Sequence, residues 1–306
     1  MIAGPGCPVC VVPTVAIDRA VELALNGVIV TTFGDLMRVP ATRMSLFEAR
    51  ARGGDVRVVY SASDAVEIAR RNPDREVVFL SVGFETTAPT TASEILRGVP
   101  ENFSVMCYHR LIPPAMELLL GVGDLQIDGF ICPGHVAAII GVKAFRVFAE
   151  AYKMPTVVAG FEPNDVLLAI LMLLRQLRDG EARCENEYAR LVRYEGNVKA
   201  QRRMKEVYNV SPAYWRGIGR IPDSGLTLKK EFERLDAEKK FEFSPMKHLD
   251  LNPGCNCHLV MIGKIYPPEC RLFGKVCTPQ RPYGPCMVSV EGTCYIFYKY
   301  GGQPRI

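Results

Sequence analysis

Apolar and polar positions follow two rhythms over the first 180 residues. Short β-rich runs without a polar face occur at Val28–Phe33, Arg57–Tyr60, Val77–Val82, Phe103–Cys107, Gly129–Cys132 and Thr156–Ala159. Between them, apolar residues recur at helical spacing. Val15–Leu25 is one such stretch, with Thr14 as its cap behind Pro13. A short helix begins at Ser63 and Glu67 and reaches Arg71; Pro113–Leu120 and an Ala/Ile-rich run after His135 follow. The last, Pro163–Leu177, is very apolar and reads as a buried helix. Strands apolar on both faces that alternate with helices predict parallel α/β sheets.

One device occurs twice. A buried strand runs into Gly83-Phe84-Glu85 and a helix start, and another into Gly160-Phe161-Glu162, 77 residues later. This predicts two related α/β domains, residues 1–100 and 101–180. Past Gly180 the character changes. Charged helical stretches at Asn186–Tyr194 and Asn197–Tyr208 lead to Trp215-Arg216-Gly217-Ile218-Gly219. Lys229–Lys240 reads as a solvated linking helix. Residues 181–306 form the third unit, a helical linker followed by a loop-rich, cysteine-dense domain.

Composition narrows the function classes. The 306 residues carry a net charge of +4 with interspersed signs, so no nucleic-acid footprint is expected. The apolar run Val166–Leu174 is too short for a membrane span, and no membrane association is expected. Eleven cysteines, unevenly spaced and without a basic-plus-apolar leader ahead of Cys7, predict a reducing cytoplasm and thiols that ligate or cycle.

The chemistry-bearing residues lie at the two ends of the chain. Near the start, Gly4-Pro5-Gly6-Cys7-Pro8-Val9-Cys10 sets a Cys-X-X-Cys just before a helix, where backbone N–H groups favour thiolate. It reads as a redox dithiol or a soft iron contact; the bland reading is two buried small hydrophobes. Six cysteines crowd the other end: Cys255, Cys257, Cys270, Cys277, Cys286 and Cys294, among Gly and Pro turn-formers. The gaps from Cys255 to Cys270, Cys277 and Cys294 hold fourteen, six and sixteen residues. Four thiolates fit a [4Fe–4S] cluster, leaving Cys257 and Cys286 spare or alternative; a structural zinc site is the competing reading. Glu85, Glu162 and His135 stand at predicted strand ends, where open α/β sheets bind ligands. Helix capping is nearly as good an account of each glutamate. His109 and His258 are weaker candidates, and His248 is expected at the surface.

The strings GPGCPVC, TTFGDLMRVP, GFETTAP, CPGHVAAIIG, VVAGFEPNDVL, WRGIG and CRLFGKVCTP, in that order, resemble the HypD family of [NiFe]-hydrogenase maturation proteins. The resemblance begins at Ile2 and runs over nearly the whole chain. It implies an accessory of metallocentre assembly: a scaffold that works with a HypC-type chaperone and receives cyanide from a HypE-type donor. On it, a transient iron acquires two cyanides and one carbon monoxide. The resemblance implies Cys255, Cys270, Cys277 and Cys294 as the cluster ligands and Cys7 and Cys10 as the redox pair. His135 and Glu85 match motif residues near the iron-handling cleft. One departure is plain. The family's Cys-Gly-Thr-His segment, whose cysteine is a leading iron-binding candidate, has no counterpart before Gly4. The first sheet is therefore expected to lack a strand, and iron loading to be impaired. The alternatives are a stand-alone thiol–disulfide oxidoreductase with an iron–sulfur electron store, and a zinc-stapled binding protein.

Overall fold

The structure is a computed structural model that describes residues 2–122 and 127–301. Its first sheet has four parallel strands: β1 (Ile29–Thr32), β2 (Val56–Val58), β3 (Val77–Gly83) and β4 (Phe103–His109), in the order β2-β1-β3-β4. Alternate residues serve opposite layers. Val30, Val78, Leu80 and Met106 pack with Ala16, Ile17 and Ala20 of the helix Thr14–Leu25. Ile29, Val77, Phe79 and Val105 pack against the helices Ala62–Arg71 and Ala88–Arg97. Helices on both faces explain why these strands show no polar side. Burying side chains such as Phe79 and Leu80 contributes roughly 1.5–3 kcal/mol each. β4 carries this sheet through His109, beyond the boundary expected at residue 100.

Strand order reverses between β1 and β3, so a crevice opens beyond their carboxyl ends. The second sheet is smaller: β5 (Phe130–Pro133), β6 (Thr156–Ala159) and β7 (Cys184–Asn186), all parallel. Here the expected helix at Asn186–Tyr194 is corrected. Cys184–Asn186 is drawn into the sheet beside β6, and the Asn186 side chain bonds the Val192 carbonyl to turn the chain. Tertiary pairing outweighs helical patterning at this point.

The two Gly-Phe-Glu segments do end buried strands and precede helices. At both glycines a Cβ would strike a folded-back side chain, Thr87 over Gly83 and Asp165 over Gly160. The second helix, Pro163–Asp179, is not buried as its composition predicts. Leu167 is 66% exposed, and Leu168, Leu171, Leu174 and Leu177 are exposed with it. A three-stranded sheet is too narrow to cover more than one stripe of that helix, centred on Ala169, Met172 and Leu173.

After the helix Val198–Val207, whose first turn the Asn197 side chain caps, comes an antiparallel hairpin not anticipated from sequence. Its strands are β8 (Tyr208–Trp215) and β9 (Gly219–Leu228), with an irregularity between Ser211 and Ala213. Pro212 interrupts the alternation there, as proline does at bulges. The hairpin covers the outer edge of β4: Leu111 N–H donates to Ser224 at 2.9 Å, and Arg110 bridges Gly225.

Lys229–Lys240 is likewise not a free linker helix. It forms two short turns, Lys230–Leu235 and Ala237–Lys240, with Leu235 and Ala237 buried. Glu238 there accepts from Tyr108 and Arg19. His248, expected at the surface, is only partly exposed and sets Nδ1 2.7 Å from the buried Asp18 carboxylate. The C-terminal unit is loop-rich, with the short helices Cys257–Met261 and Thr293–Tyr300. Among the described residues no helix is long and apolar enough to cross a membrane.

Candidate thiol site

Cys7 caps a one-turn helix, Pro8–Val11, whose opening proline is pre-set for a helical start. Cys7 and Cys10 are joined as a disulfide, with Cα atoms 5.3 Å apart. The Cys10 N–H points at the Cys7 sulfur, 3.3 Å away, a donor that would steady a thiolate on Cys7. Cys7 is 6% exposed and Cys10 0%. The Cys10 sulfur lies 3.9 Å from the Pro285 carbonyl oxygen, which the reduced thiol can bond.

The pair opens on a cleft of about 930 Å³. Phe33 and Asp35 enter it from the end of β1, Gly83 and Phe84 from the end of β3, and His135 and Phe161 from the ends of β5 and β6. Both sheets therefore present their carboxyl ends to one space, closed on its third side by Cys286 and Glu291. The His135 ring lies against Phe161, with centroids 4.3 Å apart.

Three of the sequence-predicted residues, Cys7, Cys10 and His135, share this cleft. Glu85 does not line it. It is 2% exposed, with Oε1 accepting the Ile112 N–H at 2.9 Å and Oε2 without a partner among the described residues. Burial raises its pKa to about 7 against the pull of the Glu85 and Ile112 backbone N–H groups. Glu162 is spent as a helix cap opposite Asp165. His109 is fully buried, bonded to Ser81 at 2.9 Å, and kept neutral by burial and Arg110, with its pKa lowered to about 3.

Sequence reasoning missed Asp35 and Glu291, which face each other's charge in the cleft. Burial first, then Asp35, raises the Glu291 pKa, and His135 partly offsets this. Asp35 follows a predicted strand and could have been found by the strand-end rule. Glu291 sits in an irregular turn without any such signal.

The six C-terminal cysteines line one small cavity with Leu272, Phe273, Gly284 and Met287. All six are buried. Cys255 is pulled towards thiolate by the Cys257 thiol, whose own pKa rises in return. Cys286 is favoured likewise by the Cys294 thiol and by the Cys294 N–H at 3.3 Å, while Cys294 is pushed up. Cys277 accepts the Tyr283 N–H at 3.3 Å. Among the described residues no three His, Cys, Asp or Glu side chains converge as ligands of a single ion. A cube that takes one thiolate on each of four irons does not need such convergence, and a ring of buried thiols is the donor set it uses. Cys286 borders both this cavity and the cleft.

Fold and site together define an α/β protein with two parallel sheets, a Cys-X-X-Cys pair at the sheet ends and a cysteine-lined cavity behind it. The HypD family model, described as hydrogenase formation hypA family, matches residues 1–301. With that match over nearly its full length, the chain belongs to the HypD family. It is 47% identical to hydrogenase maturation factor HypD2 of Bradyrhizobium diazoefficiens and 48% identical to HypD of Cupriavidus necator, over 98% of this chain and 82% of each relative. A putative hydrogenase expression/formation protein of Methanocaldococcus jannaschii is 47% identical over 98% of this chain and 84% of its own length. The protein is thus a hydrogenase maturation factor, acting among the proteins of that machinery.

Proposed function

We propose that the protein is the scaffold on which the Fe(CN)₂CO part of a [NiFe] active site is assembled, with a HypC-type chaperone as partner and a HypE-type thiocyanate as cyanide donor. The iron is cargo. The observation that carries this reading is the position of Cys286, which joins the cavity of six thiols to the cleft holding Cys7 and Cys10.

In the reduced pair, Cys7 is the nucleophile, being the more exposed and the one facing an N–H donor. Its thiolate attacks the sulfur of R–S–CN; the S–CN bond breaks, cyanide leaves, and a mixed disulfide forms. Cys10 then displaces the R–S group and closes the Cys7–Cys10 disulfide, and its proton goes to the departing thiolate. Two electrons have left the dithiol and one cyanide has been freed for the iron. His135 on the cleft wall is the group that carries protons to and from this space. Re-reducing the disulfide takes two electrons and two protons. Cys255, Cys270, Cys277 and Cys294 would hold a [4Fe–4S] cluster, which when bound supplies electrons singly.

The test is maturation of a reporter hydrogenase in cells carrying Cys7→Ala or Cys10→Ala. Loss of maturation, with a HypC-type protein still co-purifying, is the expected result. Normal maturation in either variant overturns the dithiol role.

A further inference from the structure

Arg216 is 1% exposed, deep between the dithiol segment and the cysteine cavity. Its backbone N–H donates to the Val11 carbonyl at 2.9 Å, at the end of the one-turn helix carrying Cys10. Its Nε donates to the Asp250 carbonyl oxygen at 2.7 Å and its Nη2 to that of Pro40 at 2.9 Å. Nη1 is buried and without a partner among the described residues. Such an orphan donor is costly, the more so when charged, unless something accepts from it.

The groups facing this charge are Cys257, Asp250, Cys255 and Asp18. Both carboxylates are already engaged. Asp250 Oδ2 takes the Gly217 N–H at 2.5 Å and the Tyr214 hydroxyl at 3.3 Å. Asp18 takes the Thr42 N–H and hydroxyl and faces His248. The cysteine pair is what remains. Gly217, at φ +72°, presses on the segment that carries it: a Cβ there would strike the His258 side chain, next to Cys257.

We propose that Arg216 is the fixed counter-charge of the cysteine module, with Nη1 donating to a sulfur at the Cys255–Cys257 edge. The inference rests on the cluster reading above and adds to it a residue that tunes the potential. A cation held beside a cluster favours its reduced, more negative state, and hydrogen bonds to its sulfurs act in the same direction. Arg216 also fixes the dithiol helix through its backbone, so one residue sets both the potential and the register of the two thiol groups.

The experiment is an EPR-monitored dithionite titration of anaerobically reconstituted wild-type protein, Arg216→Met and Arg216→Lys. The expected result is a potential in Arg216→Met lower by a tenfold change in the one-electron equilibrium, about 59 mV. Arg216→Lys, which keeps the charge, stays near wild type. An unchanged potential in a cluster-bearing Arg216→Met overturns the role of Arg216 and leaves the cluster reading intact. Wild type that takes up no iron and sulfide overturns both. If Arg216→Met does not fold, pulsed EPR of the reduced wild-type cluster, with heavy nitrogen in the arginine guanidinium groups, decides the matter. A guanidinium coupling supports the proposal and its absence overturns it.

Discussion

The Cys10 sulfur lies 3.9 Å from the carbonyl oxygen of Pro285, and the next residue is Cys286. Residues 275 positions apart in sequence thus bring the Cys7–Cys10 pair up against the cysteine-rich C-terminal segment. In the reduced pair, the Cys10 thiol is placed to donate a hydrogen to that oxygen.

The two thiols of the pair should react in order. After reduction, iodoacetamide should modify Cys7 well before Cys10, since Cys7 keeps 6% exposure against none for Cys10 and faces the Cys10 N–H. Peptide mass spectrometry over a time course reads this. Faster labelling of Cys10 would reverse the roles assigned above.

Glu85 should make stability fall with rising pH. Its folded pKa, about 7, lies above the ordinary value of 4.5, so the folded state holds the proton more tightly. The cost of ionising it is absent below the ordinary value and builds up as pH rises to about 7. It amounts to roughly 3 kcal/mol on the scale of 1.36 kcal/mol per pH unit. Glu85→Gln keeps an oxygen for the Ile112 N–H and removes the titration. Denaturant melts at pH 5 and pH 8 should show the variant gaining on wild type at the higher pH. A constant difference between the two would contradict this.

Four cysteines should matter for iron and two should not. Ser at position 255, 270, 277 or 294 should abolish iron and sulfide uptake and the visible absorption that bleaches with dithionite. Cys257→Ser and Cys286→Ser should retain both. Iron loss in Cys286→Ser with retention in Cys294→Ser would move the fourth ligand to Cys286, the thiol of that pair held nearer to thiolate.

The loop around His248 is held in part by the Asp18 carboxylate. Asp18 is buried and accepts from Thr42 at 2.9 and 2.6 Å and pairs with His248. Asp18→Ala leaves these donors unmatched and should cost about 2–4 kcal/mol. Thermal melting reads the loss, and proteolysis should cut first near residues 244–250.

Much of the fold was legible because the strands are buried on both faces, so Val77–Val82 and Thr156–Ala159 read as unbroken apolar runs. Other places were not, three of them for clear physical reasons. The hairpin is hidden by Pro212 in the middle of its first strand. Cys184–Asn186 has too few residues to show a period and is a strand only because β6 lies beside it. Pro163–Asp179 has the composition of a core helix, but coverage depends on the width of the sheet beneath, which no local pattern encodes. In the site, Cys7, Cys10 and His135 could be named from motif and strand end. That they share one cleft could not, because it depends on how two sheets and a distant tail pack. Glu85 shows the opposite limit: a strand-end position does not say whether a side chain turns outward or inward.

The hairpin over β4 has a further effect on how the first sheet can grow. With Ser224 and Gly225 bonded along one border, the backbone groups there are no longer offered to another chain. Of the two borders, that leaves β2, whose Val58 is exposed. Exposed strand borders recruit further strands. A further strand pairing at that border, from this polypeptide or from a protein it meets, would take its register from Val56–Val58.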